Sequence, residues 1–168
     1  MPNTRTSEGA RLLRPIPGFP AAGERTLHRR LLDAIVAGVA VTPPCVERLA
    51  LPTPTGWKHG EVECRGDVSE EVGWDGVVFG GYLAAVADLY GGLAMLTVLP
   101  DGARFLTAGL DVTFTAPMLP GRVRITARVT QLSEREATVQ VLLRQRNRIT
   151  SRARTDQVIQ REPRREER

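Results

Sequence analysis

Asp88 stands alone. Residues 73–99 of this 168-residue chain read GWDGVVFGGYLAAVADLYGGLAMLTVL, and between Val77 and Leu99 no other side chain carries charge. An ionised carboxylate buried in such a segment must be paired, be neutral or serve a purpose, because burial without a partner is costly. Two readings weigh evenly on the residues alone. One is an Asp hydrogen-bonded to strand hydroxyls for the sake of the fold; the other is a functional group, since buried carboxylates are rare and often at work in sites. Other reactive side chains offer less. Cys45 and Cys64 match no metal spacing and read as free thiols, and neither His28 nor His59 has a Cys or His at ligand spacing. Neither a metal nor a cofactor is implied.

One helix must position Asp88. Asp75-Gly76 marks a turn and Gly80-Gly81 a second place where backbone bends or approaches something closely. The pattern then predicts a helix over 81–99, roughly 28 Å long, ended by Pro100-Asp101-Gly102. On its wheel Gly81, Ala84, Ala85, Asp88, Gly91, Gly92 and Met95 share one face. A glycine inside a helix costs about 1 kcal/mol against alanine. Small residues there therefore point to close packing by sheet backbone, a partner subunit or a ligand.

Strands must hold the helix. A first strand is predicted over 57–68, with Val62, Cys64 and Val68 on one face and Glu61, Glu63 and Arg65 on the other. Four more follow over 105–116, 122–132, 136–146 and 149–159. The second of these turns Val123, Ile125, Ala127 and Val129 one way, and the third does the same with Ala137, Val139, Val141 and Leu143. Asn147 is the hairpin residue before the last. Short links make this an antiparallel sheet whose one face is covered by the only long apolar helix, an α+β fold of about five strands.

The ends read differently. Residues 1–23 show no period and read as a disordered or draped arm. Residues 24–41 form an extra helix with Leu27, Leu31, Ala34, Ile35 and Val39 at helical spacing and His28 facing solvent. Residues 42–160 form the main domain, and 161–168 a polar tail. Pro43 and Pro44 stop the first helix, and a short second one follows near 45–49. The net charge of +4 comes almost wholly from arginine, with Lys58 the only lysine and aromatic residues at 5%. That composition argues against nucleic acid as a partner. The apolar run is interrupted by Asp88 and by glycines, so it reads as a core helix, with no membrane insertion. No secretory signal is visible, and the default compartment is the cytoplasm.

The order of a first strand, a Gly-Gly turn, a long helix with a carboxylate seven residues after the second glycine, and four antiparallel strands resembles the hotdog-fold acyl-CoA thioesterases of the phenylacetate-pathway type. The resemblance covers about residues 42–160. It is carried by GVVFGG at 76–81, LAAVAD at 83–88, TAGLDVTF at 107–114 leading to Pro117, and the turn at Gly121. It implies a homodimer or homotetramer whose helices are wrapped by a joined sheet, with active sites at the subunit interface. By match, Asp88 acts on the thioester as general base for water or as nucleophile. The Gly80 amide, at a helix start that favours negative charge, faces the thioester oxygen, and the Thr107 hydroxyl orients the water. Two positions depart from the family pattern: Phe79 stands where His commonly precedes Gly-Gly, and Gly73 where Asn often lies six residues earlier. Asp75 or Trp74 are the residues available to substitute, and the acyl pocket near Phe79 and Gly81 becomes more apolar.

The expected activity is hydrolysis of an acyl thioester of coenzyme A or an acyl carrier protein. Arg122, Arg124 and Arg152, like Arg148 and Arg154, are candidates for coenzyme A phosphates or an acidic carrier, against the plain alternative of solvated surface. The competing reading is a non-catalytic acyl-CoA or lipid-binding module, which Phe79 and Gly73 favour and Asp88 and Thr107 oppose.

Overall fold

The computed structural model describes residues 13–40 and 43–161. Its chain order is α1 (Leu27–Val36), α2 (Pro44–Arg48), β1 (Gly56–Lys58), β2 (Glu61–Val68), a single 3-10 turn (Glu70–Val72), β3 (Gly73–Trp74), β4 (Val77–Val78), α3 (Gly80–Leu96), β5 (Ala103–Phe114), β6 (Gly121–Leu132), β7 (Glu136–Gln145) and β8 (Arg148–Arg161). Six strands form one antiparallel sheet in the order β1-β2-β6-β7-β8-β5, while β3 and β4 form a separate two-residue ribbon. The sheet is thus larger than expected: the stretch read as one first strand is a β1–β2 hairpin, because Gly60 takes a φ of +75° and turns the chain. The remaining strands and helix α3 fall where the sequence places them, to within a few residues.

Alternation explains the core. Val62 and Cys64 lie opposite Ala127 and Ile125, and Val139 and Val141 opposite Val129 and Ala127, all buried beneath α3. The charged partners Glu61, Glu63, Arg124 and Arg128 form ion pairs on the opposite, outer face. Turns carry the special backbone that hairpins require. Asp75 and Gly76, at φ +53° and +76°, join β3 to β4, and Arg146 and Asn147, at +48° and +62°, join β7 to β8.

Helix α1 departs from its expected face. Leu27, Leu31 and Val39 are exposed, while Leu32 and Arg29 are buried. The reason is polar. Arg29 donates through Nε and Nη2 to the Thr97 carbonyl just past the end of α3, at 2.9 and 2.7 Å, and through Nη1 to the carbonyls of Ala21, Ala22 and Glu24. A guanidinium satisfies several terminal carbonyls at once and favours a helix C-terminus. This rotates the helix around Arg29 rather than around its leucines. His28 is accordingly not solvent-facing: its Nε2 sits 3.0 Å from the Ala103 carbonyl. Residues 13–23 also lie against the body, with Leu13 and Phe19 packed on the core. The expectations for residues 1–12 and 162–168 lie outside the described residues.

Candidate active site

Helix α3 and the edge strand β5 bring Asp88 and Thr107 together. The Thr107 Oγ1 hydroxyl donates to Asp88 Oδ1 at 2.8 Å. The carboxylate itself is exposed rather than buried, so the expectation of an isolated charge in the core is corrected. The reason lies in the helix: Leu83, Val86, Ala87, Tyr90, Leu93 and Ala94 take the buried side, leaving the small-residue face around Gly81 and Asp88 outward. Of that face, Gly91 and Met95 turn inward instead. A Cβ on Gly91 would stand 2.5 Å from Thr155 Oγ1, so glycine there lets α3 sit directly on β8.

Strand β5 is bulged immediately after Thr107, between Thr107 and Gly109. One extra residue flips the alternation. Thr107 lies opposite the buried Gln157, and Leu110, Val112 and Phe114 lie opposite the buried Thr155, Ala153 and Ser151. Four side chains of β5 therefore share the helix side of an edge that, among the described residues, pairs with β8 alone.

The start of α3 supplies the second component. Its N-cap is Phe79, which makes no side-chain cap. The first amides of the helix, at Gly80 and Gly81, are donors that the helix itself cannot satisfy, at the end where its dipole is positive. Both glycines lie against exposed aromatic rings. A Cβ on Gly80 would meet the Phe114 ring at 3.2 Å, and one on Gly81 would meet the Phe79 ring at 2.4 Å.

Clefts lie on both sides of this helix start. One, of about 450 Å³, is lined by Leu49, Glu71, Val72, Gly73, Trp74, Phe79, Gly81, Tyr82 and Ala85. The other, of about 480 Å³, is lined by Val77, Gly80, Leu83, Phe114 and the 115–118 segment. Trp74 and Phe79, 84% and 66% exposed, are the most open aromatic side chains. Leu49 joins the first cleft because Tyr82 and Tyr90 donate to the carbonyls of Ala50 and Pro52, at 2.9 and 2.8 Å. Gly73 has a local cause: a Cβ there would stand 3.2 Å from the carbonyl oxygens of both Glu70 and Val77. Any side chain at this position would have to push the β3–β4 backbone apart by a few tenths of an ångström.

Other residues named from the sequence are scattered. Asp75 occupies the ribbon tip, outside the cleft that Trp74 lines. Arg124 reaches Glu63 at 3.4 Å on the outer sheet face, Arg122 lies next to it along β6, and Arg152 lines a separate outer depression with Asp111 and Arg154. Within one chain none of the three is brought to Asp88. Gly80 and Asp88 are themselves eight residues apart on one helix, about 12 Å along its axis. A single thioester carbonyl cannot meet both in one subunit. Leu49, Thr155 and Gln157 escaped the sequence reading. Leu49 ends the short helix just before a proline-rich link, and the two β8 residues sit at inward positions where alternation predicts apolar side chains.

Residues 75–151 match the model of the thioesterase superfamily. No curated protein matches the sequence significantly. Among solved structures, a phenylacetic acid degradation-related protein of Ralstonia eutropha JMP134 is 22% identical, with a TM-score of 0.68 over 76% of this chain and 98% of that one. A thioesterase of Haemophilus influenzae is 18% identical, with a TM-score of 0.68 over 83% and 94%. The protein from the phenylacetic acid degradation operon of E. coli is 14% identical, with a TM-score of 0.65 over 77% and 93%. The resemblance to the hotdog thioesterases holds, and the fold is the α+β hotdog fold. The family match supports thioester hydrolysis as the class of chemistry.

Proposed function

We propose that this chain, carrying the thioesterase-superfamily pattern over residues 75–151, hydrolyses an acyl thioester of coenzyme A or an acyl carrier protein in a site completed by a second copy. The observation that carries the reading is an exposed Asp88 carboxylate held by the Thr107 hydroxyl at 2.8 Å on an open sheet edge. In this reading Asp88 takes a proton from water as the water oxygen adds to the thioester carbon. The oxyanion is met by the Gly80 amide of the other subunit, and the thiolate leaves as the carbonyl reforms. Attack by Asp88 itself, giving an anhydride that water then opens, uses the same geometry.

Pairing through β5 is supported by its exposed Leu106, Leu110 and Phe114. An open apolar edge strand is otherwise an aggregation liability. In this reading a joined sheet brings the Gly80 end of one subunit's α3 to the Asp88 of the next, which one chain alone cannot do. The acyl group lies in the cleft between Trp74, Phe79 and Leu49, whose lining is mainly apolar. The outer-face arginines Arg122, Arg124 and Arg152 are offered to the phosphates or to an acidic carrier.

Phe79, apolar and open where a polar partner is usual, favours a second reading: a module that binds acyl thioesters without cleaving them. A panel of acyl-CoAs assayed for free thiol separates the two. Thiol release supports hydrolysis, and saturable binding with no release supports the module.

A further inference from the structure

Behind Thr107 lies a polar pair in the apolar layer between sheet and helix. Gln157 is 1% exposed and Thr155 fully buried. Both are on β8, flanked along the strand by the buried Ala153 and Ile159. Gln157 Oε1 lies 3.2 Å from Thr107 Oγ1, and Gln157 Nε2 lies 3.0 Å from Thr155 Oγ1. Two buried polar side chains would ordinarily be replaced by valine and leucine, because their desolvation opposes folding. Their hydrogen bonds run in a line toward one exposed group, Asp88.

Proton counting fixes the direction. A hydroxyl has one proton, and that of Thr107 lies on Asp88, which has none to give when ionised. Thr107 Oγ1 can then only accept from behind. With Gln157 Oε1 on the Thr107 side two acceptors would compete for that one proton, so the consistent assignment turns the amide end for end, exchanging its oxygen and nitrogen: the Thr155 hydroxyl then donates to the Gln157 oxygen and the Gln157 NH2 to Thr107. Each bond polarises the next, and the Thr107 hydroxyl loses its freedom to rotate. The bulge after Thr107 and the glycine at 91 serve the same line: the first turns Thr107 inward opposite Gln157, and the second admits the Thr155 side chain beneath α3.

We infer that Gln157 and Thr155 are positioning residues for Asp88, acting through Thr107. They hold its proton on one carboxylate oxygen and leave the other for water. The inference rests on the hydrolysis reading. Its test uses the full chain and a thioester that the wild type cleaves. Thr155→Val, which keeps the shape and removes the hydroxyl, and Gln157→Leu each lower kcat about ten-fold at unchanged KM. Thr155→Ser restores turnover. In a Thr107→Val background the same two changes lower kcat by less than roughly two-fold, because the line is already cut.

A merely structural role predicts the opposite: lower unfolding midpoints, with the same kcat factor whether or not Thr107 is present. Should Gln157→Leu fail to fold, the isosteric Thr155→Val decides. Thiol release by wild type with kcat unaltered in Thr155→Val overturns this inference alone. No thiol release by wild type from any acyl-CoA overturns the hydrolysis reading and this inference with it.

Discussion

Thr107 donates to Asp88 at 2.8 Å from the last residue of β5 before the bulge, joining the sheet edge to the exposed face of α3. This bond makes the carboxylate a fixed group on an open surface. A Thr107→Val substitution is expected to leave the fold intact and lower kcat about ten-fold, with Thr107→Ser close to wild type. Steady-state thiol release measures both.

Gly80 allows the amide to be removed without disturbing the helix. Proline suits a first helical position, and Phe79 before it, at φ −62° and ψ 132°, already has the backbone that proline demands of its predecessor. Gly80→Pro is expected to fold and to lose about 100-fold in kcat for want of the oxyanion donor. Gly80→Ala presents the same Cβ to the Phe114 ring, 3.2 Å away, but keeps the N–H. It should retain most of the activity, so the difference between the two variants isolates the amide.

Assembly and turnover are expected to fail together. Leu106→Arg and Leu110→Arg place a charge on the β5 edge, where both leucines are exposed. Sedimentation velocity should show a wild-type dimer or tetramer and a monomeric variant, and the monomer should release no thiol. A monomer with full activity would mean that Gly80 and Asp88 of one chain suffice.

His59 makes stability depend on pH. Its Nδ1 lies 2.7 Å from Arg29 Nη2, and burial first, then the Arg29 charge, pull its pKa below the ordinary 6.5, against a partial rise from the Thr97 backbone. The fold therefore prefers neutral His59. Stability is full above the unfolded-state value near 6.5 and falls as the pH drops below it, because the unfolded chain takes up the proton more readily. Thermal unfolding from pH 8 to pH 5 should show this loss, and His59→Gln should flatten it. Arg29→Ala should cost about 3 kcal/mol by orphaning carbonyls at Thr97, Ala21 and Glu24.

Much of the molecule was legible in its residues. The alternation at 122–132 and 136–146, the Asn147 turn and the Gly-Gly start of α3 each follow from local rules, and both Thr107 and Asp88 are singled out, though not the hydrogen bond between them. What stayed hidden depends on distant contacts. Arg29 is buried because the end of α3 offers the Thr97 carbonyl, 68 residues away in sequence, so the apolar spacing of Leu27 and Leu31 gave the wrong helix face. Asp88 is outward because the buried side of α3 is filled by larger residues, a balance invisible to charge counting. Gln157 and Thr155 are polar at inward positions of β8, partnered by each other and by Thr107 on β5, a strand distant in sequence.

The central claim is that Asp88 carries the hydrolysis, and its most direct test is the kcat for thiol release of Asp88→Asn, with assembly checked in the same preparation. Asparagine keeps the shape and can still meet Thr107, but it cannot take a proton from water. Asp88→Asn is expected to remain an intact dimer or tetramer with kcat lowered about 1000-fold. Near-normal turnover by that variant would contradict the claim.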